Sequence, residues 1–254
     1  SEAVENIDSI IEAADVIMVA RGDLGVEIGY TELIGIQKKL IRATRKGGKI
    51  VITATQMMES MIENPIPTRA EVSDVSNAVM DGTDAVMLSG ETAVGNHPVK
   101  AIRAMSEVCK GAEKFPLTAG RTRHRLGDYF ESVDEAIAMA AMYTANHLNV
   151  KAIIALTESG STTRWLSRIR SDIPIYAFTP YAATNRRVAM YRGVYPVSFA
   201  IQDKSRDQLY ADMFTTLLSN ELVEVGDFVI LTRGDLQGVS GSTNSMTILE
   251  VLDR

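Results

Sequence analysis

The stretch VIMVARGDLGVE, residues 16–27, places a glycine-rich acidic segment directly after a short apolar run. The same order returns in IVITATQ, residues 50–56, and in AVMLSGE, residues 85–91, so that the runs start 34 and 35 residues apart. Continuous apolar runs of this length are typical of parallel strands that are buried on both faces. The repeat therefore predicts three βα units.

Helical patterns follow each of these runs. Apolar side chains recur at three- and four-residue spacing in residues 33–41, residues 68–71 have the form of a capping box, and Pro98 is placed to begin a further helix. Repeated βα units of this length are typical of a (β/α) barrel or of a doubly wound sheet. Three units cannot close a barrel, which needs eight, so this part is either a small open sheet or a piece of a barrel.

A second pattern begins after residues 116–129, which contain a proline, two glycines and a basic cluster and are predicted to be a linker. Residues 130–254 then predict a compact α/β domain with a mixed sheet. Its strands are expected at residues 152–156, 175–178, 194–199, 228–232 and 246–251. The predicted organisation is thus a first α/β domain at 1–115, the linker, and a second α/β domain.

The composition excludes several classes of protein. The 254 residues are 46% hydrophobic and 23% charged, with a net charge of −6, which is typical of a globular chain and argues against nucleic acid or an anionic membrane as partner. A single cysteine excludes an internal disulfide or a cysteine-rich zinc site, and no apolar run approaches the ~18 residues of a membrane span. Because the chain begins with Ser1 inside a helical pattern, we expect it to be a piece of a longer protein.

The candidate residues for chemistry follow the three strands, because the carboxyl ends of parallel strands form the site in α/β folds. Gly22 and Gly25 allow the backbone to present N–H groups to an anion, and Asp23 is a hard oxygen ligand that suits Mg²⁺. Thr55 offers a hydroxyl to a carboxylate or phosphate, and Glu91 offers an acid that orients a base or water. The structural alternatives are a tight turn, an N-capped helix and a carboxylate that stabilises a loop.

A second candidate site is the loop between a strand and a helix in the second domain. Its hydroxyls and its glycine suit a phosphate at a helix N-terminus, although a hydroxyl-rich cap is the structural alternative. The loop lacks the lysine of a P-loop, so nucleotide hydrolysis is not implied. A glycine-rich segment at residues 234–244 is a candidate lid for the same ligand. The proposed effector-binding residues are Thr157, Ser159, Gly160, Ser161, Thr162, Thr163, Gly241 and Ser242.

Taken together, these motifs resemble pyruvate kinase, and the bacterial form most. The resemblance runs nearly from end to end, and its motifs are long and occur in the same order. The matching strings are MVARGDLGVE at 18–27, ITATQMMESMIENPIPTRAEVSDVSNAV at 52–79, DGTDAVMLSGETAVGNHPVKAI at 81–102, LTESGSTTRWLSRIR at 156–170, YRGVYPV at 191–197 and GSTN at 241–244.

The resemblance implies that residues 1–115 are the last three βα units of a (β/α)₈ barrel and that residues 130–254 are an effector-binding domain. It implies the glycolytic transfer of a phosphoryl group from phosphoenolpyruvate to ADP, giving pyruvate and ATP, with Mg²⁺ and usually K⁺. It further implies a cytoplasmic, allosteric homotetramer. The problem for such an enzyme is to stabilise charge on a moving phosphoryl group and on an enolate oxygen.

Site residues are implied by the same resemblance. Asp23 matches a Mg²⁺ ligand, and Thr55 matches the hydroxyl that contacts pyruvate beside its methyl carbon. Thr55 and Glu91 are therefore the expected catalytic positions. The expected substrate-binding positions are Ala20, Arg21, Gly22, Asp23 and Thr55, with the backbone of Gly22 and Asp23 holding the substrate carboxylate.

Other parts of the family's site do not match any residue of the chain. The resemblance places the catalytic lysine, a glutamate ligand of Mg²⁺, the K⁺ ligands and the lid-like B domain upstream of Ser1. We therefore expect these 254 residues to be inactive alone. An alternative of another class is a non-catalytic module that binds a phosphorylated metabolite, and a third is a stand-alone open-sheet α/β protein.

Overall fold

The structure is a computed structural model of the chain. No helix in the part of the chain that it describes is long and apolar enough to cross a membrane. The described residues form two compact units, unit 1 within residues 1–121 and unit 2 within residues 122–254. The ranges described are 2–114, 129–130, 132–169, 171–201, 204–234 and 243–252.

Unit 1 contains a parallel sheet of three strands in the order β1-β2-β3, which confirms the predicted parallel arrangement. The strands are β1 Val16–Ala20, β2 Ile50–Ala54 and β3 Ala85–Val86. The helices are α1 Glu2–Glu5, α2 Ile7–Ala13, α3 Arg21–Ile28, α4 Tyr30–Lys46, a 3₁₀ turn Glu59–Ile62, α5 Arg69–Asp81, α6 Gly90–Ala93 and α7 Pro98–Glu113.

Burial in this sheet differs from the prediction of strands covered on both faces. The prediction is correct for the central strand β2, where four of five residues are buried. It is wrong for β1, where Ile17 and Val19 are buried but Val16 and Met18 are exposed. Successive side chains of a strand point to opposite faces, so helices that cover one face of β1 leave the other open. The covered face packs against Leu40 of α4.

The glycine-rich segment after β1 is a helix and not the predicted turn. Helix α3 begins at Arg21, directly after β1, and ends before Gly29, whose φ of 84° is a conformation that favours glycine. Leu24 packs against the same apolar cluster as β1. Gly25 lies close to Tyr30, because a Cβ atom on it would be 3.2 Å from that ring. The segment therefore presents a helix N-terminus, and not an open loop, at the end of the strand.

The predicted capping box before α5 is confirmed, and its glutamate makes additional hydrogen bonds that the sequence pattern does not indicate. The Oγ1 atom of Thr68 accepts the N–H of Glu71 at 3.3 Å, and the Glu71 carboxylate accepts the N–H of Thr68 at 2.7 Å. The same carboxylate accepts the N–H of Ser60 at 2.7 Å and its hydroxyl at 2.6 Å. Glu71 therefore joins the 3₁₀ turn to the start of α5.

Unit 2 contains the predicted mixed sheet, in the order β6-β5-β4-β7-β8, in which only the β7–β8 pair of the described sheet is antiparallel. Residues of α11 pack on it with Ile154, Phe178 and Leu231 in one apolar core. The strands are β4 Ala152–Leu156, β5 Ile175–Thr179, β6 Val194–Ser198, β7 Phe228–Gly234 and β8 Thr243–Glu250. The helices are α8 Val133–His147, α9 Ser161–Arg168, α10 Ala182–Val188 and α11 Arg206–Ser219.

The predicted linker, 116–129, lies outside the described residues except for Tyr129. The boundaries at 115 and 130 therefore stay a prediction. The candidate effector residues Gly241 and Ser242 also lie outside the described residues.

Replacement of Glu71 by Gln is expected to weaken the junction between the 3₁₀ turn and α5. The amide NH₂ of Gln would face an N–H or O–H donor, and the loss of such a cap costs about 1 kcal/mol. Hydrogen exchange of a peptide covering residues 59–72 should become faster. Glu63→Gln is the matched control, because Glu63 is exposed on the same turn; equal exchange in the two variants would contradict this role.

The same contacts predict a pH dependence. Partial burial raises the pKa of Glu71, but the hydrogen bonds from Ser60 and Thr68 together outweigh it and bring the pKa below the ordinary value of 4.5. The ionised carboxylate thus stabilises the fold above pH 4.5, and this stabilisation is lost as the pH falls through the lowered pKa. The intrinsic exchange rate of an amide itself falls with acid, so the measurement is the protection factor. Protection of the 59–72 peptide should fall with acid in the parent protein and less in Glu71→Gln.

Candidate functional site

The ends of β1 and β2 bring two of the predicted site residues into contact. The register pairs Ala20 with Ala54, the last residues of the two strands. The N–H of Gly22, in the first turn of α3, donates to Thr55 Oγ1 at 2.9 Å, and this hydroxyl donates to the carbonyl of Ala54 at 2.7 Å. The structure thus places a helix N-terminus and a threonine hydroxyl side by side.

The backbone at this place is strained. Thr55 and Gln56 have φ values of 64° and 52°, and the only other non-glycine residue with positive φ in the described part of the chain is Glu221. The left-handed conformation costs an L-residue about 1–2 kcal/mol, and it is rarest for β-branched residues such as threonine. Such strain concentrates at functional sites and persists where the surrounding contacts impose it.

Arg21 makes the contacts that impose this conformation. Its side chain is 5% exposed, and its Nη2 donates to the carbonyl of Thr55 at 2.7 Å and to that of Gln56 at 2.9 Å. Its Nε donates to the Thr55 carbonyl at 3.1 Å. Its Nη1 forms an ion pair with Asp74 on α5. Arg21, one of the predicted substrate-binding positions, therefore directs its guanidinium into the protein.

Glu91 binds the next part of the same segment. Its side chain is buried, Oε1 accepts the N–H of Met58 at 3.1 Å, and Oε2 accepts the N–H of Ser89 at 2.9 Å. Both carboxylate oxygens thus hold backbone groups, as in the structural alternative that the sequence left open. Met57, Met58 and Met61 are fully buried around this segment, so they form its apolar support.

Asp23 is the residue whose chemistry suits a metal ion. It is exposed in the first turn of α3. Mg²⁺ in proteins is commonly bound by one or two carboxylates, with waters and substrate phosphates completing the shell. The residues that the structure describes contain no group of three or more His, Cys, Asp or Glu side chains that could hold a metal. Asp23 therefore fits Mg²⁺ as one ligand of a shared shell.

The hydroxyl-rich loop of unit 2 uses part of its hydrogen-bonding capacity internally. Thr157 Oγ1 accepts the N–H of Gly160 at 2.8 Å, and the Ser161 hydroxyl donates to Asp134 at 2.7 Å. Thr162 Oγ1 is hydrogen-bonded to Thr243 Oγ1 of β8. Because a serine has one hydroxyl proton, Ser161 cannot donate to a phosphate while this bond to Asp134 exists.

Other groups of this loop suit an anion. Thr163 is fully buried in the first turn of α9, and its Oγ1 has no hydrogen-bond partner among the described residues. The first N–H groups of a helix are not used within it and attract negative charge. Arg187 of α10 brings a guanidinium to the loop, where its Nη1 donates to the carbonyl of Ser159 at 3.4 Å.

Comparison with known proteins identifies the family. Residues 1–102 match the pyruvate kinase barrel domain, and residues 135–249 match the pyruvate kinase alpha/beta domain. The chain belongs to the pyruvate kinase family. Pyruvate kinase II of Salmonella typhimurium is 55% identical over 248 residues, which cover 96% of this chain and 51% of that protein. Pyruvate kinase of Buchnera aphidicola subsp. Baizongia pistaciae is 53% identical over 257 residues, or 99% of this chain and 53% of the relative.

A solved pyruvate kinase structure has the same fold over nearly the whole of this chain. The enzyme from Cryptosporidium parvum superposes with a TM-score of 0.88 and is 40% identical, over 98% of this chain and 50% of that one. This chain spans about half the length of the pyruvate kinases it matches. These comparisons therefore show the pyruvate kinase family for both units.

Two acidic residues at these sites were not found from the sequence. Asp74 lies 53 residues after its partner Arg21, and Asp134 lies 27 residues before its partner Ser161. Asp134 lies in the first turn of α8, where an acidic residue is explained by the helix dipole alone, and Asp74 lies in the middle of α5, where an acidic residue is typical of a solvent-facing position. No pattern in the sequence distinguishes a carboxylate with this local role from one that contacts a distant loop.

Gly160→Ala is expected to distort the start of α9. The φ of Gly160 is 85°, and a Cβ atom there would lie 2.8 Å from Val188 Cγ1. Gly226 is the matched control, because its φ is 90° and a Cβ atom on it would meet no described atom within 4 Å. We expect Gly160→Ala to cost about 1 kcal/mol more than Gly226→Ala in local opening, measured by hydrogen exchange at each site. Val188→Ala in the Gly160→Ala background should recover part of the lost opening free energy. If the costs of Gly160→Ala and Val188→Ala simply add in the double variant, the proposed clash between the two side chains is refuted.

Proposed function

We propose that this chain is part of a pyruvate kinase that transfers a phosphoryl group from phosphoenolpyruvate to ADP in glycolysis, giving pyruvate and ATP. In this proposal, unit 1 supplies the last three βα units of the catalytic (β/α)₈ barrel. The observation that carries it is the contact between Gly22 and Thr55 at 2.9 Å, which joins a helix N-terminus to a hydroxyl on a strained turn. That this occurs in a chain of the pyruvate kinase family supports the assignment.

The residues of the chain have separate tasks in this reaction. The first turn of α3 favours an anion through its N–H groups and its dipole, so the backbone of Gly22 and Asp23 is proposed to bind the substrate carboxylate. The N–H of Gly22, which donates to Thr55 Oγ1 in the structure, would then turn from this hydroxyl to the substrate. Ala20 and Arg21 place this turn at the end of β1. Thr55 holds a proton at Oγ1 beside the carbon that becomes the methyl group of pyruvate. Because the turn is already held in this conformation, only the hydroxyl proton, which donates to the carbonyl of Ala54 in the structure, would have to rotate toward the substrate.

Mg²⁺ and K⁺ are proposed cofactors. Asp23 is the ligand that this chain would contribute to Mg²⁺, and the exposure of its carboxylate supports that role. Bound Mg²⁺ would neutralise charge on the phosphoryl oxygens. We propose that Glu91 acts on the reaction by holding Met58 and Ser89 in place. The other metal ligands and the catalytic lysine belong to parts of the pyruvate kinase fold that this chain does not match.

Unit 2 is proposed to bind a phosphorylated effector at residues 157–163. The buried hydroxyl of Thr163, the first N–H groups of α9 and the guanidinium of Arg187 support an anion site there. Gly241 and Ser242 are proposed to complete it. This feature also favours the second candidate function, a non-catalytic module that binds a phosphorylated metabolite. Full-length pyruvate kinase is further proposed to be a cytoplasmic homotetramer, on the family resemblance alone.

Asp23→Asn is expected to abolish most of the activity of the complete protein. Pyruvate formation from phosphoenolpyruvate, ADP, Mg²⁺ and K⁺ should fall at least about 100-fold, and a higher Mg²⁺ concentration should be required. The reason is that mutation even of a residue that only orients a metal ligand lowers metal affinity or activity about 10–100-fold. Glu27→Gln is the control, since Glu27 is exposed one turn later on the same helix. The 254-residue chain alone should show no turnover. A complete protein without turnover, but with phosphate binding in unit 2, would favour the non-catalytic module.

Effector binding should depend on Arg187. Isothermal titration of the complete protein with fructose bisphosphate, glucose 6-phosphate, ribose 5-phosphate, AMP and inorganic phosphate would identify the ligand class. We expect Arg187→Gln to weaken binding about 10-fold or more, as loss of a charge-assisted hydrogen bond does. Arg186→Gln is the matched control, because Arg186 is an exposed neighbour on α10. Unchanged affinity in Arg187→Gln would place the effector elsewhere.

A further inference from the structure

We propose that Asp74, through its ion pair with Arg21, is a positioning residue for the Thr55 hydroxyl. The inference rests on the proposed function, in which Thr55 takes part in the reaction. Asp74 lies on α5 and contacts neither Gly22 nor Thr55 in the described hydrogen-bond network. Its effect on the site is therefore indirect and passes through one buried side chain.

Arg21 fixes the Thr55–Gln56 turn through hydrogen bonds to its carbonyls. Two adjacent carbonyls, those of Thr55 and Gln56, point to the same guanidinium, which donates to them through Nη2 at 2.7 and 2.9 Å. An extended backbone would direct neighbouring carbonyls to opposite sides. The left-handed conformation of both residues is what allows one cation to receive both, and the cation in turn stabilises that conformation.

Asp74 fixes the orientation of the Arg21 side chain through an ion pair. The Nη1 atom of Arg21 donates to Asp74 Oδ2, while Nε and Nη2 face the turn. The guanidinium is planar and rigid, so fixing Nη1 on one side fixes the direction of the other donors. A buried guanidinium without a counter-charge is costly, and a side chain of this length has other rotamers. Without Asp74, Arg21 is expected to leave the carbonyls for part of the time.

Loss of the Arg21 contacts would allow the strained backbone of Thr55 and Gln56 to relax. The Thr55–Gln56 conformation costs about 1–2 kcal/mol at each residue, so it persists only while Arg21 holds it. Glu91 fixes Met58, two residues after Gln56, but does not contact the two strained residues in the described hydrogen bonds. Relaxation of the turn would move Thr55 Oγ1 from the N–H of Gly22. A displacement of about 1 Å at a reacting group can cost about 100-fold in rate.

The test compares Asp74 with Asp81 in the complete protein. Both aspartates lie on α5 and pair with a cation, and their side chains are 26% and 20% exposed. Asp74→Asn should lower kcat about 10-fold and Asp74→Ala about 100-fold, with KM for phosphoenolpyruvate changed less than about threefold. Asp81→Asn and Asp81→Ala, which break the pair with Lys38, should keep the parent kcat.

Two readouts separate positioning from general loss of structure. Hydrogen exchange of a peptide covering residues 54–61 should rise in Asp74→Ala and remain at the parent level in Asp81→Ala. Sodium formate should restore part of kcat in Asp74→Ala, and sodium chloride at equal ionic strength should not, because Asp74 lines an open cleft of about 380 Å³ between α4 and α5 that admits a small carboxylate.

The possible results distinguish failure of this proposal from failure of the proposed function. Parent-like kcat and exchange in Asp74→Ala would overturn the proposal, as would equal losses in the Asp74 and Asp81 variants. If the parent protein lacks pyruvate kinase activity, the proposed function fails. Exchange of the 54–61 peptide then still decides whether Asp74 holds the turn.

Discussion

The burial of one positive charge constrains the carboxyl edge of unit 1. The Arg21 guanidinium lies out of water, so its donors require acceptors, and the carbonyls of Thr55 and Gln56 supply them only in a left-handed turn. Asp74 balances the charge, and Glu91 fixes the adjoining amides. The result is a hydroxyl held against a helix N-terminus by groups that do not themselves need to contact a substrate.

Unit 2 repeats the arrangement of a strand that leads into the N-terminus of a helix. A parallel strand again leads into a helix N-terminus, where the hydroxyls of Thr157 and Ser161 are engaged by Gly160 and Asp134. Other donors near this helix N-terminus are the backbone N–H groups of Thr162 and Thr163, the buried Thr163 hydroxyl and the Arg187 guanidinium. Each unit thus presents a helix dipole at the end of a strand, which is where α/β folds bind anions.

Much of the secondary structure could be predicted, because local patterns determine it. Apolar runs located the strands, Thr68 and Glu71 formed the capping box, and Pro98 begins α7 as expected. The helix α3 was missed because its two glycines are typical of a turn, whereas packing of Leu24 on β1 stabilises a helix. The exposure of Met18 was also missed, since an apolar run does not reveal which elements cover each face.

The sequence by itself determined the pyruvate kinase family, the order of the strands along the chain, and the strand ends at which Asp23 and Thr55 lie. These are properties of neighbouring residues and of long motifs. Only the tertiary structure decided that Arg21 points inward, that Thr55 and Gln56 adopt positive φ, and that Asp74 completes the network. The reason is that a buried charge selects its partners by distance in space, and Arg21 and Asp74 are 53 residues apart along the chain.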